Sequence, residues 1–199
     1  MNIFVIRHGE TTGDIEDRYG GDYDDHLSPK GEAQSQALAL ELKNKGLEVI
    51  FTSPLLRAQE TTEFISRETG APLVILPDLK ERNQYGILTG MKKEKALLEH
   101  PAEVELLKSR YNTIEGAESY EDFSARIARA FKKATTEHTH AAIGMLWHGG
   151  PMRVLFRDVL TMGELKEIGD CSWVHLEKTQ AGFTIRDSKG IVFDFYGFA

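Results

Sequence analysis

The sequence predicts an α/β protein, a three-layer α/β/α sandwich with a mixed, mostly parallel sheet. Short apolar runs alternate with longer segments of helical spacing over most of the 199 residues, a pattern typical of βαβ units. Ser-Pro pairs precede two of the helical segments and glycines follow them, as helix ends favour. The last part of the chain carries short apolar runs without helices between them, which favours antiparallel strands and therefore a mixed sheet.

The first half of the chain predicts two strand–helix units and then a third strand. Its strands are NIFVI (residues 2–6), EVIFT (48–52) and LVIL (73–76), and its helices lie within residues 28–46 and 53–70. Ser28 can cap the first helix, with Pro29 at its first position and Gly46 at its end. Ser53 and Gly70 repeat these signals for the second helix.

The second half predicts a charged helical stretch that Pro101 interrupts, and then a long helix over residues 119–138. Ser119 opens that helix, with Asp122 placed for a capping box. AAIGMLW (141–147) is a fourth strand, a helix begins near Gly150, and three short strands follow at residues 172–178, 182–187 and 190–195. No repeat or linker divides the chain, so residues 1–199 are expected to form one domain.

Composition restricts the classes of partner. The net charge is −7, from 31 acidic and 24 basic residues, which does not favour nucleic acid or an anionic membrane. No apolar run approaches the ~20 residues of a membrane helix. The single cysteine, Cys171, excludes an internal disulfide and, with no signal peptide in view, indicates a cytoplasmic protein. A monomer or a homodimer is equally compatible with the sequence.

An arginine, a histidine or a carboxylate follows each of the four predicted parallel strands. These groups are Arg7 and His8 after the first strand, Arg57 after the second, Glu81 after the third, and His148 with Gly149 and Gly150 after the fourth. Ligands of open α/β sheets gather beyond the carboxyl ends of the strands. We therefore expect these groups to converge on one pocket.

The residue types that follow these four strands are suited to phosphoryl transfer. Arginines match phosphate oxygens and stay charged, and bare backbone N–H groups at a helix start attract anions. A neutral imidazole can attack phosphorus if one ring nitrogen is unprotonated and the other donates to a fixed acceptor. A carboxyl group with a raised pKa, here Glu81, can protonate the leaving oxygen and later accept a proton from water.

Four blocks of sequence, in order, resemble the histidine phosphatase superfamily, also called the phosphoglycerate-mutase-like family. They are RHGET (7–11), TSPLLRAQETTE (52–63), LKERNQYGILTG (79–90) and HGG (148–150), with further echoes at residues 18–38 and 115–127. The resemblance extends from the first residue to about residue 157. It implies the mixed α/β fold and an enzyme that needs neither metal nor cofactor.

The resemblance also implies a role for each site residue. His8 is the expected nucleophile and Glu81 the proton donor, while Arg7, Arg57 and His148 hold the phosphoryl oxygens, and Gly149 offers its backbone. Asp14 and Gly21 are expected substrate contacts. Asp14 stands where many members have asparagine, so its carboxylate either points away from the phosphate or meets another part of the substrate. Trp147 stands where a small hydroxyl residue is common, and we expect it to pack in the core.

Within the family, the sequence favours a phosphatase acting on a small phosphorylated metabolite over a cofactor-dependent mutase. Residues 90–116 form a short segment of mixed charge without a tight arginine pair, whereas a mutase must hold its intermediate and exclude water. Residues 92–110 fit either a lid or a surface helix pair. The aromatic end, FDFYGFA (193–199), fits a final strand or a dimer contact better than a cover over the pocket.

Two hypotheses from other functional classes remain open. A non-catalytic phospho-ligand-binding protein could keep the pocket without the chemistry. A metal-dependent hydrolase could use His8, His148 and Glu81 as ligands, although no paired-histidine spacing of the HExxH kind is present.

Overall fold

The computed structural model describes residues 1–195 and contains a six-stranded mixed sheet with helices on both faces. The strands are β1 (Asn2–Arg7), β2 (Val49–Thr52), β3 (Leu73–Ile75), β4 (Ala142–Trp147), β5 (Gly163–Thr179) and β6 (Gly182–Phe195). Their order is β3-β2-β4-β1-β5-β6, with parallel pairing as far as β1 and antiparallel pairing after it. The predicted fold class is confirmed.

The helices separate into two layers and a lateral group. They are α1 (Thr12–Ile15), α2 (Pro29–Leu42), α3 (Leu56–Thr69), α4 (Lys93–Glu99), α5 (Pro101–Leu106), α6 (Tyr120–Thr136) and α7 (Gly149–Val154), which continues as a π-helical turn over Leu155–Val159. Short 3₁₀ turns occupy Pro77–Leu79 and Gly86–Leu88. Among residues 1–195, no helix combines the length and apolarity that a membrane crossing requires.

Strand β1 is apolar at consecutive positions because both of its faces are covered. Ile3 and Val5 belong to the core under α6 and α7, whereas Phe4 and Ile6 belong to the core under α2 and α3. Such continuous apolar runs are characteristic of parallel strands inside a three-layer fold. Burial on both sides leaves the strand end as the first place where a polar side chain can stand.

The helix-end signals are correct except at Gly46 and Ser53. The Ser28 hydroxyl accepts the Gly31 N–H at 3.0 Å, although α2 ends at Leu42, before Gly46. Gly70 ends α3 in the left-handed conformation, with φ +75°. The prediction that Ser53 caps α3 is wrong, because Leu55 occupies the N-cap without a side-chain bond.

The prediction of three short C-terminal strands is also wrong. The structure has two long strands, since β5 begins at Gly163 and the last two predicted strands are one continuous β6. Register shifts interrupt their pairing, and Cys171 (φ +51°) and Gly190 (φ +69°) adopt left-handed backbone in this region. Bulges of this kind absorb the polar and glycine positions that resemble strand ends in the sequence.

The sheet register places the strand ends side by side. Arg7 pairs with Trp147 across β1 and β4, and Thr52 pairs with Leu146 across β2 and β4. The residues that follow these three strands are therefore neighbours. Trp147 is fully buried in the core, as predicted.

The aromatic C-terminal stretch is described in part. Phe193 and Phe195 belong to β6 and stack with ring centroids 5.0 Å apart, and Phe193 also contacts Phe156 edge-on. A final strand is therefore correct for these residues. The expectations for residues 196–199 lie outside the described residues.

Candidate active site

Two buried histidines stand together where β1 and β4 end. The His8 and His148 ring centroids are 4.9 Å apart with the planes inclined by 58°. His8 is 6% exposed and His148 is fully buried. Their adjacency follows from the register of the sheet, because each is the next residue after the paired Arg7 and Trp147.

Hydrogen bonding assigns the proton on the His8 ring. Nδ1 lies 2.7 Å from the carbonyl oxygen of Gly9, which can only accept, so Nδ1 carries the hydrogen. Nε2 lies 3.3 Å from Arg57 Nε, which can only donate. The Nε2 lone pair of His8 is therefore free of a proton and faces the pocket that Arg57 enters.

The His148 ring has the opposite tautomer. Its Nδ1 accepts from Arg57 Nε at 3.3 Å, and its Nε2 lies 2.8 Å from the Ser53 hydroxyl oxygen. Nε2 therefore carries the hydrogen and donates to Ser53. The Ser53 hydroxyl oxygen also accepts the Leu55 N–H at 3.3 Å, just before α3 begins.

Both imidazoles are held neutral. Burial, together with the nearby Arg57 charge, lowers the pKa of His8 and of His148 well below its usual value. Arg7 adds to the effect at both rings, and the Gly9 carbonyl opposes it weakly at His8. The neutral form that nucleophilic attack requires is thus the resting form.

Arg57 joins the two rings to the loop that follows α1. Its Nε–H is shared by the two imidazoles, while Nη1 donates to the Tyr23 carbonyl oxygen at 2.6 Å and Nη2 to that of Gly21 at 2.7 Å. The guanidinium fork is therefore turned toward this loop. The Nε edge is the part that faces the histidines.

Asp25 is the site residue that sequence reasoning missed. Its carboxylate lies 2.8 Å from Arg57 Nη1, both side chains are about 5% exposed, and its other oxygen accepts the Gly13 N–H. The signal available in the sequence is the acidic cluster DYDD (22–25) beside a predicted cationic pocket. Nothing in that cluster indicates which carboxylate turns inward.

Glu81 approaches the same site from the loop after β3. Oε1 accepts the Arg82 N–H at 2.7 Å and Oε2 accepts the Gly150 N–H at 2.9 Å. Desolvation raises the pKa of the carboxyl group, and these two N–H groups oppose the rise. A Cβ on Gly150 would stand 2.2 Å from Oε1, so glycine is required there for this contact.

Arg7 is anchored on the β5 side of the site. Nη1 donates to the Ile168 carbonyl oxygen at 2.5 Å and lies 3.3 Å from Asp170. Its Nε is buried and has no hydrogen-bond partner among residues 1–195. One donor of Arg7 is therefore available to a ligand.

The predicted contacts Asp14, Gly21 and Gly149 occupy different settings. The exposed Asp14 carboxylate accepts from the N–H and hydroxyl of Thr11, in a capping box that begins α1. Gly21, at φ +56°, contacts Arg57 through its carbonyl oxygen. Gly149 begins α7 and has open space where a side chain would stand. The N–H of Gly150 is already occupied by Glu81, so the expectation of two bare N–H groups is wrong.

A cavity of about 520 Å³ is lined by Arg7 and Gly149, the sequence neighbours of His8 and His148, although neither histidine is among its lining residues. Arg7, Glu81 and Gly149 line one part of it. Basic side chains of α7, β5 and the nearby loops line the rest, together with apolar residues that include Phe123 and Leu165. The cavity is large enough for a small metabolite. It provides room for the part of a substrate that does not react.

The segment 92–110, expected as a lid or as a surface helix pair, forms α4 and α5, which Pro101 separates. Ala96 packs with Leu88 and Ile114 in a small core of its own. Arg110 is the residue of this segment that lines the cavity. The segment is therefore packed against the rest of the protein through Ala96, and it contributes Arg110 to the lining of the cavity.

The arrangement suits attack on an electrophile better than binding of a cation. Arg57 donates to the lone pairs of His8 Nε2 and His148 Nδ1, the same lone pairs that a metal would need. A positive charge between the two rings opposes a second one. The same charge attracts an anion, and His8 Nε2 would then face it.

Comparison with known proteins identifies relatives of both predicted kinds. The family model of the histidine phosphatase superfamily (branch 1) matches residues 3–189. A metal-independent phosphoserine phosphatase of Arabidopsis thaliana is 30% identical over 77% of this chain and 66% of its own. A 2,3-bisphosphoglycerate-dependent phosphoglycerate mutase of Methylobacterium radiotolerans is 29% identical over 83% of each chain.

Solved structures support the fold. A mycobacterial glucosyl-3-phosphoglycerate phosphatase in complex with VO3 superposes with a TM-score of 0.81 at 22% identity, covering 93% of this chain and 96% of the other. Agreement at this level of identity concerns the fold alone.

Proposed function

Because the chain belongs to the histidine phosphatase superfamily, we propose that it is a metal-independent phosphatase that hydrolyses a small phosphorylated metabolite through a phosphohistidine at His8. The proposal includes roles for Arg7, Arg57, Glu81, His148 and Gly149. It treats residues 1–199 as one catalytic domain, and it excludes Asp14 from the phosphate contacts.

One observation carries the proposal: a buried, neutral His8 presents an unprotonated Nε2 beside a cation. The Gly9 carbonyl fixes the tautomer and Arg57 Nε marks the position that an anion would take. Nucleophilic histidine needs these features together. Neither a structural histidine nor a surface histidine needs them.

In the first step His8 Nε2 attacks phosphorus and the bond from phosphorus to the leaving oxygen breaks. The protonated Glu81 carboxyl group gives its proton to that oxygen, and its raised pKa favours the protonated form. The leaving alcohol departs. The phosphoryl group remains on Nε2 while Nδ1–H stays on the Gly9 carbonyl.

In the second step water attacks the phosphohistidine. Glu81, now a carboxylate, removes a proton from the water, and the bond from phosphorus to Nε2 breaks. Inorganic phosphate leaves and His8 returns to its neutral form. Glu81 recovers the proton it gave in the first step, so no net proton is lost by the enzyme.

Arginine N–H groups stabilise the charge on the transferring phosphoryl group. Arg57 Nε–H moves from sharing the two imidazoles to a phosphoryl oxygen, and Arg7 Nε–H supplies a second bond. The Gly149 N–H borders the same space. His148 Nδ1 carries no hydrogen in the resting tautomer, so its bond to a phosphoryl oxygen requires protonation at Nδ1, which the bound anion favours. The Arg57 bond to the phosphoryl group replaces its two bonds to the imidazoles, so part of this stabilisation is offset.

A mutase is the second candidate. The mutase relative is matched over 83% of its length, and the cavity beside the histidines is rich in basic side chains. Hydrolysis remains the proposal because residues 90–116 carry no arginine pair that would clamp a bound intermediate.

The test is turnover of p-nitrophenyl phosphate with EDTA present and with vanadate as inhibitor, beside a proton NMR assay that follows interconversion of 2- and 3-phosphoglycerate. We expect hydrolysis that EDTA leaves unchanged and vanadate inhibits, without interconversion. Interconversion faster than hydrolysis would establish the mutase. Loss in EDTA with recovery on adding a divalent metal would establish a metal-dependent hydrolase. Phosphate binding without turnover would establish a binding protein.

A further inference from the structure

The sequence block at residues 115–127 supplies none of the groups that react in the proposed mechanism, although it contains a buried ion pair. Glu118 stands just before α6, and Arg126 stands within that helix. Their side chains are 18% and 9% exposed, respectively. Neither residue is among the described residues that line the cavity. Because burial of two charges is costly, a pair placed away from the substrate is expected to act inside the protein.

The Arg126 guanidinium makes five hydrogen bonds, as many as its N–H groups allow. Nε and Nη2 donate to the two carboxylate oxygens of Glu118, at 2.9 and 2.7 Å. Nη1 donates to the carbonyl oxygens of Asp78 and Lys80, at 2.8 and 3.0 Å. Nη2 also donates to the Glu81 carbonyl oxygen, at the longer distance of 3.5 Å. Arg126 therefore binds three carbonyl groups on the stretch of chain that leads to the proposed acid.

Glu118 holds the next part of the same stretch through its own backbone. Its N–H donates to the Asn83 carbonyl oxygen at 2.7 Å, and its carbonyl oxygen accepts Arg82 Nε at 3.1 Å. Residues 81–84 belong to neither a helix nor a strand. The position of the Glu81 backbone therefore depends on contacts that come from outside this loop.

Helix α6 gives the ion pair a rigid base. Ile127, the residue after Arg126, belongs to the core that also contains Ile3 of β1 and Met145 of β4. These are the strands that end at the two histidines. The ion pair thus connects the loop of Glu81 to the scaffold that carries the proposed nucleophile.

Glu81 needs such a connection because its proton must reach one particular oxygen of the substrate. Its carboxylate accepts the Arg82 N–H at 2.7 Å and the Gly150 N–H at 2.9 Å. The first of these contacts lies within the loop and moves with it, so it cannot fix the loop. A displacement of about 1 Å at a reacting group can reduce a rate by about 10²-fold.

We propose that Arg126, together with Glu118, is a positioning residue that holds the Glu81 carboxyl group where it can protonate the leaving oxygen of a phosphoryl group at His8. The inference rests on the proposed function, in which Glu81 is the acid. Desolvation offsets much of the attraction within a buried ion pair, so stability alone does not account for it. Lysine would keep the charge but has three donors instead of five, and it cannot bind the carboxylate and the loop carbonyls together.

The test compares kcat/KM for glycerol 2-phosphate, whose alkoxide needs a proton, with kcat/KM for p-nitrophenyl phosphate, whose leaving group does not. Both substrates are measured in the natural protein, in Arg126→Lys, in Glu81→Gln and in the double variant. This parameter reports the steps up to formation of the phosphohistidine, in which Glu81 gives its proton.

Two further variants control for effects that do not pass through Glu81. Arg129→Lys makes the same exchange at an exposed position of α6. Ile50→Val removes one methylene group from the core on the other face of the sheet and lowers stability without touching the loop. Both variants should leave the ratio of the two kcat/KM values unchanged.

We expect Arg126→Lys to lower kcat/KM for glycerol 2-phosphate by about tenfold or more relative to p-nitrophenyl phosphate. In the Glu81→Gln background the same substitution should change this ratio by less than about twofold, because the group that it positions is already absent. If Arg126→Lys does not fold, Glu118→Gln decides the question by the same comparison, since the amide keeps the size of the side chain and removes its charge.

Failure of the positioning role and failure of the proposed function give different results. An unchanged ratio in Arg126→Lys overturns the inference, and so do equal losses for the two substrates or a loss of the ratio that persists in the Glu81→Gln background. In each of these cases His8-dependent hydrolysis of p-nitrophenyl phosphate leaves the phosphatase intact. Failure of the proposed function would instead appear as p-nitrophenyl phosphate turnover that is unaffected by replacing His8.

Discussion

The histidine pair and the cationic cavity lie side by side but satisfy their polar groups in opposite ways. At the histidines, Arg57 Nε, both imidazoles and Ser53 form a closed set of hydrogen bonds at buried positions. In the cavity, among residues 1–195, Arg82 Nη2 has no hydrogen-bond partner and Arg153 has no carboxylate partner. The polar groups at the histidines have their hydrogen-bond partners without a ligand, whereas the cationic groups of the cavity lack some of theirs.

This difference indicates that the histidine region carries out the reaction and that the cavity discriminates between substrates. A closed network holds His8 in one tautomer and one orientation before substrate arrives, which is what transition-state stabilisation requires. An open set of donors gains most from a ligand that supplies the missing acceptors, which is what discrimination between substrates requires. Substitutions at the histidines should therefore affect all phosphomonoesters alike, and substitutions in the cavity should affect some more than others.

The largest expected effect comes from His8→Ala. Loss of the nucleophile should reduce kcat by about 10⁴-fold or more on every phosphomonoester. His26→Ala, at an exposed histidine that contacts Glu60, is the matched control and should retain activity. Equal activity of His8→Ala and the natural protein, with circular dichroism unchanged, would show that His8 is not the nucleophile. The proposed difference between the two regions would then be wrong.

Glu81→Gln should have the next largest effect, and one that depends on the leaving group. In kcat/KM, which reports the steps up to formation of the phosphohistidine, alkyl phosphates should slow by about 10²- to 10³-fold and p-nitrophenyl phosphate by less than about tenfold, because the aryl leaving group needs no proton. The raised pKa of Glu81 also predicts that alkyl phosphate hydrolysis falls as the pH rises through that pKa.

The pH dependence supplies a second readout for Glu81. In Glu81→Gln the falling limb at high pH should disappear for alkyl phosphates, because the amide does not titrate. The lowered pKa of His8 predicts that the rate stays constant well below pH 6.5 before protonation reduces it. Equal losses for alkyl and aryl substrates would show that Glu81 is not the acid.

Asp25→Asn tests the closed network through stability. The substitution leaves the buried Arg57 charge without its partner, so the free energy of unfolding should fall by about 3 kcal/mol. Asp194→Asn, which breaks the exposed pair with Lys166, should lose less than about 1 kcal/mol. Chemical denaturation of both variants measures the contrast, and equal losses would show that the Arg57 pair is no more important than a surface pair.

The smallest effect is expected from Asp14→Asn. Its carboxylate caps α1 through Thr11, and asparagine can accept the same N–H. Inhibition by vanadate should change by less than about twofold, as the proposal that Asp14 lies outside the phosphate contacts requires. Tighter inhibition by tenfold would show that the carboxylate reaches the bound anion, and it would place Asp14 in the reacting region.

The sequence predicted the site best where the local pattern of apolar residues determines where a strand ends. The ends of β1 and β4 could be located from apolar runs, and the rule that ligands lie beyond parallel strand ends then brought His8 and His148 together. It could not identify Asp25, because a long loop without regular structure carries that carboxylate to Arg57. The choice among three neighbouring aspartates is made by tertiary packing.

The sequence did not predict the cationic cavity, again because tertiary packing determines which side chains pair. Arg82 and Arg153 each follow a predicted site residue closely, yet many arginines near an active site find a carboxylate partner. Arg157 does so and Arg82 does not, and this depends on where Glu164 lies on β5. The start of β5 was itself mispredicted, since its bulges resemble strand ends. The error in the C-terminal strands therefore concealed one wall of the cavity.

The most direct test of the central claim is mass spectrometry of the protein after rapid mixing with substrate and quenching without acid. The account predicts an added phosphoryl group that maps to His8 and hydrolyses on acidification, and it predicts none in His8→Ala. A phosphoryl group that repeatedly maps to His148 or to another residue, with His8→Ala still active, would contradict it.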